Sequence, residues 1–151
     1  MIHIVDLSSS DLDAVCLIEN LSFGDPWKRD FFEAEFQVES FNYFRGAKMD
    51  ERLAGYCLFW LFPEDDIQIT NIAVHPDFRR RGVATFLLQD AIKSGREKQA
   101  QRVILEVRES NLSARSFYEG LGFEQIGRRK RYYEDPIEDA LLLGLSLNEA
   151  N

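Results

Sequence analysis

The chain predicts an α/β fold of the α+β kind, a mixed, mostly antiparallel central sheet of about seven strands flanked by about four helices. Three observations predict it. Strand-type and helix-type segments alternate in the order β-α-α-β-β-β-α-β-α-β-β. Two aromatic-rich runs in the first half lie back to back across a short polar turn, as antiparallel neighbours do. Finally, no Gly/Ser or Pro-rich linker, low-complexity tract or internal repeat interrupts the order, so residues 1–151 read as one domain.

Each element has its own signal. Ile2 to Leu7 alternates apolar Ile2, Ile4 and Leu7 with polar neighbours and reads as a strand. Ser10-Asp11-Leu12-Asp13 resembles a capping box that opens a helix through about Leu21. A second helix, roughly Lys28 to Glu39, follows Pro26-Trp27. Phe41 to Lys48 and Leu53 to Phe62 form a hairpin around Met49-Asp50-Glu51-Arg52. A strand from about Ile67 to Val74 ends at His75-Pro76, where His75 reads as a turn residue. Ala84, Leu87, Leu88, Ala91 and Ile92 recur at helical spacing and place a helix over Gly82 to Gln99. Arg102 to Arg108 is a strand with apolar Val103, Ile104, Leu105 and Val107. Ser113 to Glu119 is a short helix stopped by Gly120 and Gly122. Strands near Phe123 to Tyr132 and Asp139 to Leu147 complete the sheet.

Composition narrows the class. Hydrophobic residues at 45% and charged residues at 29% are ordinary for a water-soluble globular protein. The first twenty residues carry Asp6, Asp11, Asp13 and Glu19 and no Lys or Arg, unlike a secretory signal. The longest apolar run, Leu53 to Phe62, is about half a membrane span. Cys16 and Cys57 sit in apolar neighbourhoods without zinc-site spacing, which reads as reduced thiols in a cytoplasmic protein. The net charge of −8 argues against nucleic acid as a partner. The acidic surplus serves either solubility or the attraction of a basic substrate.

One local feature runs against that charge. Arg79, Arg80 and Arg81 stand immediately before Gly82, where the long helix begins. Basic side chains there oppose the helix dipole and its unpaired N–H groups. A solvated basic loop is the plain alternative; an anion seated on the helix start would meet both the N–H groups and the arginines. The strand before the run and the glycine inside it favour a phosphate site. Other site types lack their residues. No Gly-x-Gly-x-x-Gly or Gly-Lys-Ser/Thr is present. His3 and His75 are too few and too isolated for a metal centre, so no metal is expected. Ser113 and Ser116 lack a His-Asp pair. Neither cysteine has a basic neighbour in the sequence to lower its pKa for a covalent route.

With those motifs in place, the chain resembles the GNAT superfamily of N-acetyltransferases over almost its whole length. The family's cradle Q/R-x-x-G-x-G/A is matched by Arg79-Arg80-Arg81-Gly82-Val83-Ala84, followed by Thr85. Ile72, Ala73 and Val74 match the strand whose backbone holds the pantetheine arm of acetyl-CoA. Leu105-Glu106-Val107-Arg108, Asn111 and Phe117-Tyr118-Glu119-Gly120-Leu121-Gly122-Phe123 are similar to the RimI branch. So are Asp25-Pro26-Trp27, Arg131-Tyr132-Tyr133 and Glu138-Asp139-Ala140. That branch acetylates the N-terminal alanine of a small-subunit ribosomal protein. The resemblance implies acetyl-CoA as co-substrate, the N-terminus of a basic ribosomal protein as acceptor, Glu106 as general base and Tyr118 as general acid. It also places Asn111 at the acetyl-CoA site and makes a backbone N–H near Ile72 to Val74 the oxyanion donor.

The chemistry suits these residue types. Direct attack of an amine on a thioester needs a lost proton, a stabilised oxyanion and a leaving thiolate. An α-amine, with a reference pKa of about 7.7–8.0, is partly neutral at pH 7, whereas a lysine near 10.4 would need roughly 3–4 kcal/mol more help. An ordinary carboxylate is a weak base, so one in this role works desolvated or through a water relay. A protonated phenol can donate to a thiolate. Each residue also has a plain structural alternative. Glu106 could pair with Arg108 on the same strand face, and Phe117-Tyr118 could be core aromatics. Two other functions stay open, a GNAT enzyme for a small amine such as a polyamine or amino sugar, and a non-catalytic acetyl-CoA-binding module. Acidic clusters at Glu64-Asp65-Asp66, Glu134-Asp135 and Glu138-Asp139 are expected to draw a basic acceptor.

Overall fold

In the computed structural model, residues 1–38, 41–134 and 136–147 are described. They form seven strands and four α-helices: β1 (His3–Asp6), α1 (Leu12–Ser22), α2 (Arg29–Phe36), β2 (Asn42–Met49), β3 (Arg52–Leu61), β4 (Asp66–Val74), α3 (Val83–Glu97), β5 (Arg102–Arg108), α4 (Leu112–Gly120), β6 (Glu124–Glu134) and β7 (Ile137–Ser146). The expected order holds. The second helix is shorter than expected, ending at Phe36 with Gln37 as its C-cap; Glu39, its expected end, and Asp135 of the acidic clusters lie outside the described residues.

The strands make one sheet in the order β1-β2-β3-β4-β5-β7-β6. Every neighbouring pair is antiparallel except β4 with β5. The β2–β3 hairpin turns on Asp50 and Glu51, both with positive φ (51° and 65°), so the turn twists with its strands. One local expectation is corrected. The reciprocal cap at the front lies at Ser8 and Asp11, not Ser10 and Asp13: the Asp11 carboxylate accepts from the Ser8 N–H at 2.9 Å. A single 3-10 turn over Ser9–Asp11 then precedes α1, so the helical path begins before the expected cap and the same serine–aspartate spacing closes it two residues earlier.

The sheet has a core on each face. One gathers Leu87, Leu88 and Ala91 of α3 and Tyr118 of α4 against Phe59, Ile67, Val103, Leu105 and Leu141. The other gathers Val15 and Ile18 of α1 and Phe32 of α2 against Phe44, Tyr56, Leu58 and Ala73. Each fully buried aliphatic or aromatic side chain contributes on the order of 1.5–3 kcal/mol. Both cores therefore press on β3 and β4 and fix the strand pair that borders the site.

Candidate active site

β4 and β5 run parallel but pair only at Asp66↔Arg102, Ile67↔Val103 and Gln68↔Ile104. Beyond that point they part. β4 is also irregular there: the β3 register slips between Leu58 and Phe59 and leaves Thr70 outside the pairing, its hydroxyl donating to the Leu58 carbonyl at 3.0 Å. Such a bulge bends the strand and turns its backbone groups out of the ladder. The gap opens a cavity of about 740 Å³. Its lining includes Ile72 on β4, Glu106 on β5, Asn111 and Tyr118 of the α4 segment, and Glu19, Asp25 and Trp27 from α1 and the loop after it.

Strand alternation assigns the walls. Leu105 and Val107 face the α3 and α4 core, so Glu106 between them faces the α1 and α2 side. Its carboxylate pairs with Arg129 of β6, and burial together with its charge raises the pKa of the Tyr132 phenol. The expected alternative partner is corrected: Arg108 donates to Glu138 at 3.1 Å and lies 4.3 Å over the Tyr133 ring. Arg129 reaches Glu106 because the β6 register slips by one residue between Gln125 and Gly127, which sets Arg129 opposite Ala140, the same β7 residue that Arg108 faces from β5. The Tyr133 phenol is pushed up to about 12, first by burial and then by the Glu106 charge. Tyr132 moves the same way for the same two reasons.

Tyr118 enters from the opposite face. It packs edge-on to Phe117 and Phe123 at 5.2 and 5.5 Å and is buried, yet it also lines the cavity. Burial raises its pKa beyond the ordinary phenol range, so it stays protonated at neutral pH. The Gly122 turn (φ 101°) sends the chain back under the ring, with the Phe123 N–H donating to the Tyr118 carbonyl at 3.1 Å. Asn111 is the N-cap of α4, its Oδ1 accepting from the Ala114 N–H at 3.1 Å. It therefore holds the helix that carries Tyr118.

The arginine run lies at the far end of β4, past Val74 and His75. His75 Nδ1 accepts from the Asp77 N–H at 3.0 Å, a turn role as expected. Arg80 and Gly82 both have positive φ (64° and 81°). Gly82 stands at the N-cap of α3, which has no side-chain cap and no acidic residue in its first turn. A Cβ at Gly82 would meet nothing within 4 Å. The N–H groups of Val83, Ala84 and Thr85 thus open a helix without a side-chain cap, directly after two arginines and a glycine with open space around it, a fit for a phosphate. Arg79 is differently used: its Nε donates to the Val74 carbonyl at 3.1 Å, bracing the turn. Arg81 lies 5.7 Å over Phe78. Ala73 is buried in the α1 and α2 core, and Val74 pairs with Gly55.

Sequence reasoning missed Glu19, Asn71 and Arg129. Glu19 carried a signal: Leu12, Val15, Ile18 and Glu19 share the buried stripe of α1, and a carboxylate in an apolar stripe needs a reason. Arg129 had none, since its pairing depends on the β6 bulge. The acidic clusters are also spent differently from the expectation. Asp66 pairs with Arg102, Glu138 with Arg108 and Asp139 with Arg128. Residues 64–66 sit at the closed end of the β4–β5 pair. The acids that line the cavity are Glu19, Asp25, Glu106 and Glu134, with Arg108 the single cation among the lining residues.

A strand pair that splays over a cavity, followed by an open helix start behind arginines, is the arrangement of an acyl-CoA-dependent transferase. Residues 12–123 match the Acetyltransferase (GNAT) family, and the chain belongs to that family. It is 33% identical over 144 residues to the [ribosomal protein bS18]-alanine N-acetyltransferase of Salmonella typhimurium, with 94% of this chain and 95% of that protein covered. It is 40% identical over 139 residues to a Bacillus subtilis protein provisionally named for the same activity, covering 92% and 91%. The crystal structure of the Escherichia coli ribosomal-protein-S18-alanine N-acetyltransferase superposes with a TM-score of 0.89 at 29% identity, covering all of this chain and 97% of the other.

Proposed function

We propose that the chain transfers acetyl from acetyl-CoA to the N-terminal α-amine, alanine, of a ribosomal protein, by direct attack with both substrates bound. The relatives' named activity supports the acceptor. The observation that carries the mechanism is the splay after Gln68 and Ile104, which lets Glu106 and Tyr118 line one cavity from opposite faces of the sheet.

Acetyl-CoA supplies the activated acetyl thioester. The backbone of Ile72 to Val74 aligns its arm, and the first-turn N–H groups of α3 with Arg80 and Arg81 hold its phosphates. Glu106 takes the proton of the acceptor amine, either by release from Arg129 or through a water between them. Tyr118, held protonated by burial, donates a hydrogen bond to the sulfur as it becomes a thiolate. Its raised pKa, above that of an ordinary thiol at about 8.5, makes complete proton transfer uphill. Hydrogen-bond stabilisation of the developing charge is then the larger part of its role. A route through an acyl-cysteine finds no thiolate: Cys57 is fully buried and burial raises both thiols. Acetyl-CoA turnover with alanine-initiated peptides, other N-terminal peptides, internal lysines and small amines tests the reading. Preference for lysines or polyamines over any N-terminal peptide refutes the acceptor assignment.

A further inference from the structure

Glu19 is 1% exposed, borders the cavity, and none of the ion pairs among the described residues includes it. Its carboxylate is held by three neutral donors instead. The Tyr56 hydroxyl and Asn71 Nδ2, the latter at 2.8 Å, donate to Oε1; the Trp27 N–H donates to Oε2 at 2.8 Å. A buried carboxylate is costly unless hydrogen bonds or a counter-charge compensate it; these neutral donors offset the cost without cancelling the charge. Three donors also leave part of its accepting capacity, about four lone-pair sites, unused.

The hydrogen bonds fix two neighbours. A carboxylate only accepts, so the Asn71 amide must turn its NH₂ toward Glu19, which leaves Oδ1 as the free end. Asn71 stands on β4 beside the bulge and is itself part of the cavity wall. The Trp27 bond ties the loop after α1 to the same carboxylate, and Asp25 and Trp27 of that loop form the facing wall. Glu106 points to this same side of the sheet. An ammonium entering here meets an oriented amide oxygen, an unneutralised carboxylate behind it, and the base beside them.

We propose that Glu19 and Asn71 form the ammonium-binding subsite for the acceptor, Asn71 Oδ1 accepting from the α-ammonium and Glu19 acting as the positioning residue whose charge draws it in. This rests on the cavity being the acceptor site. It goes beyond the transfer chemistry, which needs a base but no second buried carboxylate. The subsite selects a charged amine before Glu106 takes its proton.

The test uses enzyme saturated with CoA, which allows binding without turnover. Calorimetry compares an alanine-initiated hexapeptide with its lactoyl counterpart, in which a hydroxyl replaces the ammonium. Wild type should prefer the ammonium peptide about tenfold or more, as a charge-assisted hydrogen bond near an unpaired carboxylate implies. Glu19→Gln should cut that preference about fivefold or more, while CoA affinity stays within about twofold. A purely structural Glu19 would weaken both ligands together and leave the preference intact; that result, or a smaller wild-type preference, overturns the proposal. Failure of wild type to bind either ligand strikes the acceptor-site reading and the proposal with it. If Glu19→Gln does not fold, Asn71→Ala, which keeps the carboxylate and two of its donors, is held to the same fivefold criterion.

Discussion

Replacing Glu106 by Gln keeps the side chain's shape and removes its charge, so the loss can be apportioned by pH. A positioned base contributes about 10²–10⁴ in rate. An α-amine with a pKa of about 7.7–8.0 is roughly a tenth neutral at pH 7 and almost wholly neutral at pH 9. Deprotonating the ground state is therefore worth only about tenfold at pH 7. Of the total deficit in kcat, about tenfold should vanish between pH 7 and pH 9, and the remainder, removal of the proton during attack, should persist. A lysine acceptor near 10.4 would keep regaining rate well past pH 9. The assay is steady-state release of CoA from saturating acetyl-CoA and an alanine-initiated peptide. Arg129→Ala is the control, because Arg129 is the cation that the structure pairs with Glu106. If the pair is only structural, both variants should lose alike; if Glu106 is the base, the Arg129 variant should keep kcat within a few-fold. A Glu106→Gln deficit flat from pH 7 to 9, or an equal loss in Arg129→Ala, refutes the reasoning.

Gly82→Val should raise the acetyl-CoA Kd about tenfold or more, because a branched side chain fills the open space at the helix start and a positive φ costs a non-glycine residue about 1–2 kcal/mol; unchanged affinity by calorimetry would place the phosphates elsewhere. Tyr118→Phe should lower kcat with little change in Tm, since the ring packing survives and only the hydroxyl is lost, whereas near-normal kcat returns Tyr118 to the core. Gly95→Ala tests packing against propensity: alanine gains about 1 kcal/mol in a helix, but its Cβ would lie 2.1 Å from Ile67 Cδ1, in a side chain with 0% exposure. Overpacking of about 1–3 kcal/mol should win and lower Tm. Alanine-initiated peptides followed by arginines should beat acidic versions, with the gap narrowing in high salt, because the cavity wall carries four acids against one arginine. Equal use of both peptides at low salt would refute that attraction.

Local rules made most of the fold legible. Hydrophobic period separated strands from helices, turn residues placed the hairpin at Asp50 and Glu51, and the glycines after Tyr118 ended α4 where expected. Glu106 and Tyr118 came from a resemblance, and their presence in one cavity depends on where β4 and β5 stop pairing. The bulge at Thr70 and the slip in β6 are register events between distant segments, and no residue pattern in either strand announces them. That is why the sequence offers only Arg108, its neighbour on the strand, as an alternative partner for Glu106, when Arg129 reaches it from two strands away. The acidic clusters divide for a related reason: Asp66, Glu138 and Asp139 are paired with arginines, while Glu134 lines the cavity, so pairing decides how much of the charge remains to act on a substrate.

The same splay explains how one site can hold opposed requirements. A base must meet an ammonium in a negative environment, whereas a leaving thiolate needs a donor that does not lose its proton to solvent. On the α1 and α2 side, Glu19 and Glu106, with Asp25 of the loop after α1, favour a cation. On the α4 side, Tyr118 is desolvated among Phe117 and Phe123 and stays protonated. Were β4 and β5 paired along their whole length, the sheet would wall these environments off from each other. Their separation after only three paired positions joins the two environments in one cavity, where the proposed mechanism has nitrogen and thioester carbon meet. The parallel pair is also the least strongly held junction of the sheet per residue, so parting it there costs less than breaking any antiparallel neighbour.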